Sequence, residues 1–400
     1  MKDMLIFRNR NYALLYVGQF ISLFGTMITS VALPYQIYKE THSTIMVGLL
    51  SLFQLLPLLV TALLGGVFAD RHHRRTLLLI AESLLAIASL ALMWNAFLTP
   101  PNISLIFIIA FLMAGVTGMH RPALTGIVQQ IVAKEDFIRT GAYSGFMYGI
   151  GMTVGPAVGG LIIAHVDLAT TFFIDFLTFL ISLIAIYNIN NIPKLVATED
   201  LSIWASLKQG IRYAKSREEL MGTYLVDFVA MIFGMPNALF PAIAQSLGGV
   251  KILGMLYAAP AVGALIITPF AKWAYGIKRH GAAIAIAAML WGIAIIGLGL
   301  SHHLWLALFF LAFSGACDSV SGLFRSAMWN EIVPSELRGR LAGIEMISYL
   351  SGPRLGDTEA GLVAAAFGIT ASIISGGVLC IVGVGVCCYY LPKFWRYRAT

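Results

Sequence analysis

Charge is what this 400-residue chain has least of: Asp, Glu, Lys and Arg together make up only 11% of it. Soluble domains carry about 25%. With 59% hydrophobic residues and a mean hydropathy of +0.84, too little polar surface remains to cover a water-soluble core of this size. That shortage excludes a soluble enzyme, a nucleic-acid-binding protein and a disordered scaffold. Cysteine is scarce too. Cys317, Cys380, Cys387 and Cys388 lie in apolar runs without CxxC spacing, so they read as buried free thiols and not as disulfides or a metal site. A GxxxxGK[ST] loop is missing, which removes ATP as the energy source, and neither an HExxH pattern nor a nucleophile with a base on a facing span offers an intramembrane enzyme. The expectation is a chain that is not an enzyme and needs no cofactor.

What the sequence does have is apolar length. A helix needs about 20 apolar residues to cross the hydrocarbon core, and twelve windows supply them, at about 11–37, 44–69, 76–98, 103–125, 139–164, 168–190, 220–246, 251–274, 281–301, 304–328, 339–366 and 368–391. The first is longer than a signal-peptide core and lacks a small-residue cleavage site, so it reads as retained. The predicted fold class is an all-α membrane protein with twelve transmembrane helices.

The bases give its orientation, because Lys and Arg near helix ends stay cytoplasmic. Of the 26 Lys and Arg, only Lys39 and Lys251 fall in or at the edge of gaps expected outside, and only Arg121, Arg325 and Arg354 fall well inside spans, away from their ends. All the others fit cytoplasmic segments if the N-terminus is inside. Both termini are therefore expected in the cytoplasm of a bacterial-type inner membrane, and the net charge of +7 is explained by topology, with no nucleic-acid partner. The lipid bilayer and a small-molecule substrate are the expected partners, and the chain is expected to act as a monomer.

The longest polar stretch divides the chain into 1–190, a linker at 191–219 and 220–400. Within the linker Ile203, Leu207, Ile211 and Ala214 recur at a 3–4 spacing, with Lys208, Arg212 and Lys215 elsewhere on the wheel, which predicts an amphipathic helix along the cytoplasmic surface. The two halves echo each other. Gly118-Met-His-Arg121-Pro-Ala in the fourth span matches Gly322-Leu-Phe-Arg325-Ser-Ala in the tenth, and Gly155-Pro156 in the fifth has Gly352-Pro353 in the eleventh. Two like-oriented six-helix bundles with substrate held between them at mid-membrane are the architecture of many secondary transporters.

After the second span the chain reads Gly66-Val-Phe-Ala-Asp70-Arg71-His-His-Arg74-Arg75. A carboxylate and three guanidiniums at a helix junction can pair with one another and with helix ends. The fifth span carries Gly151-Met-Thr-Val-Gly155-Pro156-Ala-Val-Gly159-Gly160, whose glycines at 151, 155 and 159 share one helix face and permit close contact while Pro156 bends the span. Both motifs resemble those of the major facilitator superfamily. With Gly18-Gln-Phe-Ile-Ser22, Thr41-His-Ser-Thr44 and Gly254-Met-Leu-Tyr-Ala-Ala259, the chain is most similar to the branch that holds siderophore exporters and macrolide-efflux proteins. His73 stands where the family usually has glycine, which leaves the tightness of that turn open.

The resemblance implies a fold of two pseudo-symmetric six-helix bundles and proton-driven export, by alternating access, of a siderophore-like or amphipathic drug-like molecule. It also implies a conformational gate from Gly66, Asp70, Arg71, Arg74 and Arg75, joined by Arg121, Arg325 and Glu345, and an antiporter motif at Gly151, Gly155, Pro156, Gly159 and Gly160. A lipid or metal-ion exporter on the same scaffold, hinted at by Cys317 beside Asp318, is a second reading. A membrane receptor that keeps the gating motifs without transporting is a third.

Charge inside a span is costly and points to function. Among the intramembrane ionisable residues, Glu82 included, those expected to serve proton coupling or the cavity are, in order, Asp357, Asp318, Glu359, Asp227 and Asp175, with Arg354 beside them. Arg354 and Asp357, three residues apart, can pair on one helix face. Asp318 and Arg325 lie seven residues apart, about 10 Å along the axis, close enough to share a cavity and too far to touch. Tyr16, Phe20, Phe24, Tyr143, Phe146, Tyr148, Trp291 and Trp329 read as packing or interface anchors, with a cavity lining as the alternative. The His72-His73 and His302-His303 pairs read as loop residues, since no ligand lies at metal spacing nearby.

Overall fold

Lipid offers the backbone no hydrogen-bond partner, so apolar segments of this length must close their N–H and C=O groups within helices. The computed structural model describes residues 9–190, 203–267, 274, 276–334 and 337–399, and within them the side chains of Gly66, Val67, Ala69, Asp70, Arg71, Lys134, Ile138, Ala142, residues 203–207 (Ile203 and Leu207 of the expected amphipathic face included), Gly339, Arg340, Ala342 and Gly343 lie outside the description. The described residues form α-helices with short 3₁₀ turns and contain no strand. In chain order these are α1 (Arg10–Thr41), α2 (Thr44–Arg71), α3 (Arg74–Ala96), α4 (Ile103–Ile131), α5 (Phe137–His165), α6 (Leu168–Tyr187) and α7 (Ile203–Ser216). The second half follows with α8 (Glu218–Gly234), α9 (Phe240–Leu247), α10 (Val250–Ile267), α11 (His280–Gly299), α12 (Leu304–Ile332), α13 (Arg338–Phe367), α14 (Ile369–Tyr390) and the short α15 (Pro392–Arg396). Asn9, Asn102 and Asp167 cap the starts of α1, α4 and α6 by accepting the N–H groups of Tyr12, Leu105 and Thr170.

Among the described residues, eleven spans are long and apolar enough to cross a membrane, the pair α8–α9 counting as one. The expected span missing from these is the eleventh, α13. It is 30 residues long, about 45 Å, but Arg354, Asp357 and Glu359 interrupt its apolar run. The seventh expected span, 220–246, differs from the sequence reading, for it is broken: α8 ends at Gly234, a 3₁₀ turn covers Asn237–Leu239, and α9 resumes at Phe240. Pro236 has no N–H to continue the helix and forces the residue before it out of the helical region. At the junction of α2 and α3, His73 adopts φ −62° and ψ 112°, so the turn is made without glycine.

Contacts divide the chain into two compact units. The first comprises Met1–His42, Phe53–Thr198 and Gly248–Ala258; the second comprises Ser43–Leu52, Glu199–Leu247 and Ala259–Thr400. In the first, α1 packs on α5 and α6 while α3 packs on α4 and α6. In the second, α11 packs on α12 and α14, and α8 on α13 and α14.

The amphipathic helix read from the linker is α7. Its Ala214 is buried with Leu220, Val333 and Leu341, and the Tyr213 hydroxyl donates to the Ile332 carbonyl at 2.9 Å, so one edge of it is seated on the second unit. Ile211 stays exposed. At the chain's end Phe394 is fully buried in the space that Gly222 and Gly281 leave by lacking side chains.

Candidate functional site: buried charge in the two units

In the second unit the charge gathers around one guanidinium. Arg325 of α12 pairs with Asp227 of α8 through Nη1 and reaches Asp318, two turns back on its own helix, through Nη2 at 3.4 Å. The sequence reading placed Asp318 and Arg325 out of reach of each other. The axial offset is as expected, but the guanidinium sits at the end of a long side chain that runs back along the helix, and this closes the gap. The Arg325 and Asp227 side chains are only 18% and 15% exposed, whereas Asp318 keeps 42%. Glu345 of α13 acts on Arg325 electrostatically from its exposed position. One cation is thus shared by two carboxylates, and protonating either weakens its hold.

Asp357 of α13 is held differently. Its Oδ1 accepts the backbone N–H of Ala238 at 2.9 Å and its Oδ2 accepts the Ser51 hydroxyl at 2.9 Å. Ala238 lies in the 3₁₀ turn at the break, where N–H groups lack helical partners. The other side of the break is closed by Trp291, whose indole N–H donates to the Gly234 carbonyl at 2.9 Å. Asp357 therefore braces the interrupted helix, and Arg354 stands one turn earlier on α13. The same stretch of α13 carries two more bonds of this kind: the Thr44 hydroxyl donates to the Gly361 carbonyl and the Thr358 hydroxyl to the Gly48 carbonyl, each at 3.1 Å. Glu359 is partly exposed and has no hydrogen-bond or ion-pair partner among the described residues.

The first unit buries two carboxylates completely. Asp175 of α6 accepts the Thr29 hydroxyl at 2.6 Å and the Ser89 hydroxyl at 2.8 Å, both on Oδ2. Glu82 of α3, which the sequence reading did not rank, accepts Gln19 Nε2 at 2.6 Å, His120 Nε2 at 3.0 Å and the Ser22 hydroxyl at 3.2 Å. Gln19 Nε2 also reaches the Ser182 hydroxyl at 3.1 Å. Gln19 and His120 were missed as site residues. The signal was available, since Gln19, Ser22, Thr29 and Gln36 fall at helical spacing along one apolar span, as do Asp175, Thr178 and Ser182 along another.

Of the loop motif, Arg74 donates to the Gly126 carbonyl near the end of α4 at 2.7 Å, and Arg75 donates to the last carbonyls of α6, at Ile186 and Tyr187. Both bases complement helix C-termini. The expected pairing partners Asp70 and Arg71, with Gly66, fall outside the described side chains. Arg121 lies over the Tyr148 ring, 5.8 Å from its centroid. In the glycine motif, Gly151, Gly155 and Gly159 meet α1 at Leu23, Met27 and Ile28, and Gly160 meets Gly254 of α10 closely enough that a Cβ would stand 2.5 Å from its backbone nitrogen. Pro156 supplies a carbonyl to the same contact. Among the described residues no group of three or more His, Cys, Asp or Glu is placed to hold a metal ion.

Comparison with known proteins gives this arrangement a setting. A family model described as transmembrane secretion effector matches residues 4–396. The enterobactin exporter EntS of Escherichia coli O1:K1 / APEC is 26% identical over 389 residues, covering 96% of this chain and 92% of that protein. Its counterpart in Shigella boydii serotype 4 (strain Sb227) matches to the same extent, 26% over 389 residues. Among solved structures, a POT family transporter in complex with 5-aminolevulinic acid superposes with a TM-score of 0.76 at 14% identity, covering 96% of this chain and 97% of that one.

Proposed function

The chain belongs to the transmembrane secretion effectors of the major facilitator superfamily, and from that premise we propose that it is a proton-coupled exporter of a siderophore-like small organic molecule. Membership makes it a transporter and not an enzyme, seated as a multi-pass protein in a bacterial inner membrane. Residues 1–190 and 220–400 act as the two bundles of an alternating-access cycle, the chain works as a monomer with both termini in the cytoplasm, and the proton gradient supplies the energy.

The observation that carries the coupling is the Arg325 guanidinium shared by Asp227 and Asp318. A proton taken up by the partly exposed Asp318 releases one of the two anions from the cation and frees Arg325 to meet an anionic group of the cargo. Asp357, ranked first from sequence, becomes a brace in this reading, since both its oxygens are engaged. Arg74, Arg75 and Arg121 serve the gate from the first unit, and the α5 glycines provide the close contacts along which helices slide.

The test is iron-chelating activity in the spent medium and the lysate of a deletion strain grown without iron, beside its parent. Chelator retained in the cells and restored to the medium by the wild-type gene supports siderophore export. An unchanged distribution in a strain free of other exporters rejects that cargo and turns the assay to amphipathic drugs.

A further inference from the structure

The first unit holds a titratable pair that the coupling scheme above does not use. Glu82 is sealed from solvent, while the His120 side chain bonded to it at 3.0 Å keeps 13% of its surface exposed. A carboxylate anion only accepts, and the three donors around Glu82 suit the anion: the Gln19 amide, the Ser22 hydroxyl and the His120 ring. With a neutral imidazole the pair carries one uncompensated negative charge in a dry interior, which is costly. A proton on the second ring nitrogen cancels it. Among the described residues the titratable groups facing Glu82 are His120 from α4 and, two turns away, Asp175 from α6; α1 contributes Gln19 and Ser22, and Arg74 and Arg75 of α3 are engaged with helix carbonyls.

Asp175 gives an independent pointer to proton storage in the same seam. It is fully buried, both its hydroxyl donors go to Oδ2, and Oδ1 has no hydrogen-bond partner. An anionic oxygen left without a donor in that interior is costly.

We propose that His120 and Glu82 form a proton-binding site in the first unit, loaded from water at the exposed imidazole and stabilised by the sealed carboxylate. In the step a hydronium ion gives its proton to the free ring nitrogen of His120, the other ring N–H stays bonded to Glu82, and water is released. The site deepens the exporter reading by giving the first unit its own proton, beside the carboxylates around Arg325.

The test uses the full chain in lipid nanodiscs, with the proton itself as probe. Uptake is measured on acidification through the imidazole range, between about pH 8 and pH 5. His120→Gln, which keeps a donor for Glu82, should take up about one proton fewer per chain than wild type. Glu82→Gln should lose the same proton, because the imidazolium would then be a lone buried charge, and Asp175→Asn should keep it. Uptake by folded His120→Gln equal to wild type overturns the proposal. In inverted vesicles loaded with enterobactin, Glu82→Gln should retain exchange but lose stimulation by an imposed pH gradient; stimulation equal to wild type also overturns it. Failure of wild type to move enterobactin rejects the cargo reading, and proton uptake by the variants then decides the proton site alone.

Discussion

The two units solve the same electrostatic problem in opposite ways. In the first, Glu82 and Asp175 are wholly buried and surrounded by hydroxyls, an amide and one imidazole. In the second, Asp227 and Asp318 stand around an arginine and remain partly exposed. A permanent cation fixes its partners as anions, whereas neutral donors leave a carboxylate free to hold a proton. In the proposed scheme the first arrangement holds its proton on an imidazole at the edge of a sealed carboxylate, and the second converts a proton's arrival into the loss of an ion pair. The internal repeat makes the contrast sharper. Arg121 occupies the place in α4 that Arg325 has in α12, yet it stacks on Tyr148, and the neighbouring His120 takes the carboxylate.

The largest effect is expected where the cation is removed. Arg325→Met leaves Asp227 buried without its partner, which costs about 3–5 kcal/mol and abolishes uphill transport. Thermal unfolding of the full chain in nanodiscs reads the first, and vesicle flux the second. Adding Asp227→Leu should recover most of the stability and none of the transport. A double variant as unstable as the single one would mean that the Asp227 anion is not what destabilises it.

Overpacking the first unit's seam comes next. A Cβ on Gly25 would collide with Thr178 Oγ1 and stand 2.6 Å from Asp175 Oδ1, so Gly25→Ala must push aside both side chains and disturb the carboxyl's bonds to Thr29 and Ser89. The expected loss is about 1–3 kcal/mol, read as a lower unfolding midpoint. No loss would show that the seam has slack.

Asp357 belongs to neither pattern, because its partners are a backbone N–H and a serine. Asp357→Ala orphans the Ala238 N–H at the helix break and should cost about 1–3 kcal/mol, whereas Asp357→Asn keeps an acceptor and should cost under about 1 kcal/mol with uphill transport retained. An Asn variant that is stable but cannot accumulate cargo would return Asp357 to the head of the proton carriers and remove its role as a brace.

The helices were legible in the sequence because apolar length dictates them; the expected 103–125 and 304–328 fall inside α4 and α12, which run on to Ile131 and Ile332 at their C-terminal ends. The break after Gly234 was not, since a hydropathy window sees only apolar residues across 220–246 and Pro236 counts as one residue among many. The Arg325 cluster was half legible: Asp318 and Arg325 share a face at spacing seven, but side-chain reach and the partner on α8 are tertiary facts. Ranking charges one at a time hid Glu82, because its partners are uncharged or neutralisable groups on two other helices, Gln19 and Ser22 of α1 and His120 of α4. Reading the polar residues of α1 and α6 as stripes would have shown that two spans had a buried face to satisfy.

The smallest expected effect tests the comparison most directly. If Asp175 is already the neutral acid, Asp175→Asn exchanges one neutral group for another: the amide oxygen accepts Thr29 and Ser89, and the NH₂ takes the place of the carboxyl O–H. Stability should then stay within about 1 kcal/mol of wild type, although Asp175 is sealed in the interior. If Asp175 is instead an anion, its surroundings must hold a compensating positive group, and the Asn variant would leave that group unpaired at a cost comparable to Arg325→Met. The two unfolding midpoints, measured side by side in nanodiscs, decide whether the first unit keeps its carboxylates as stored protons or as charges.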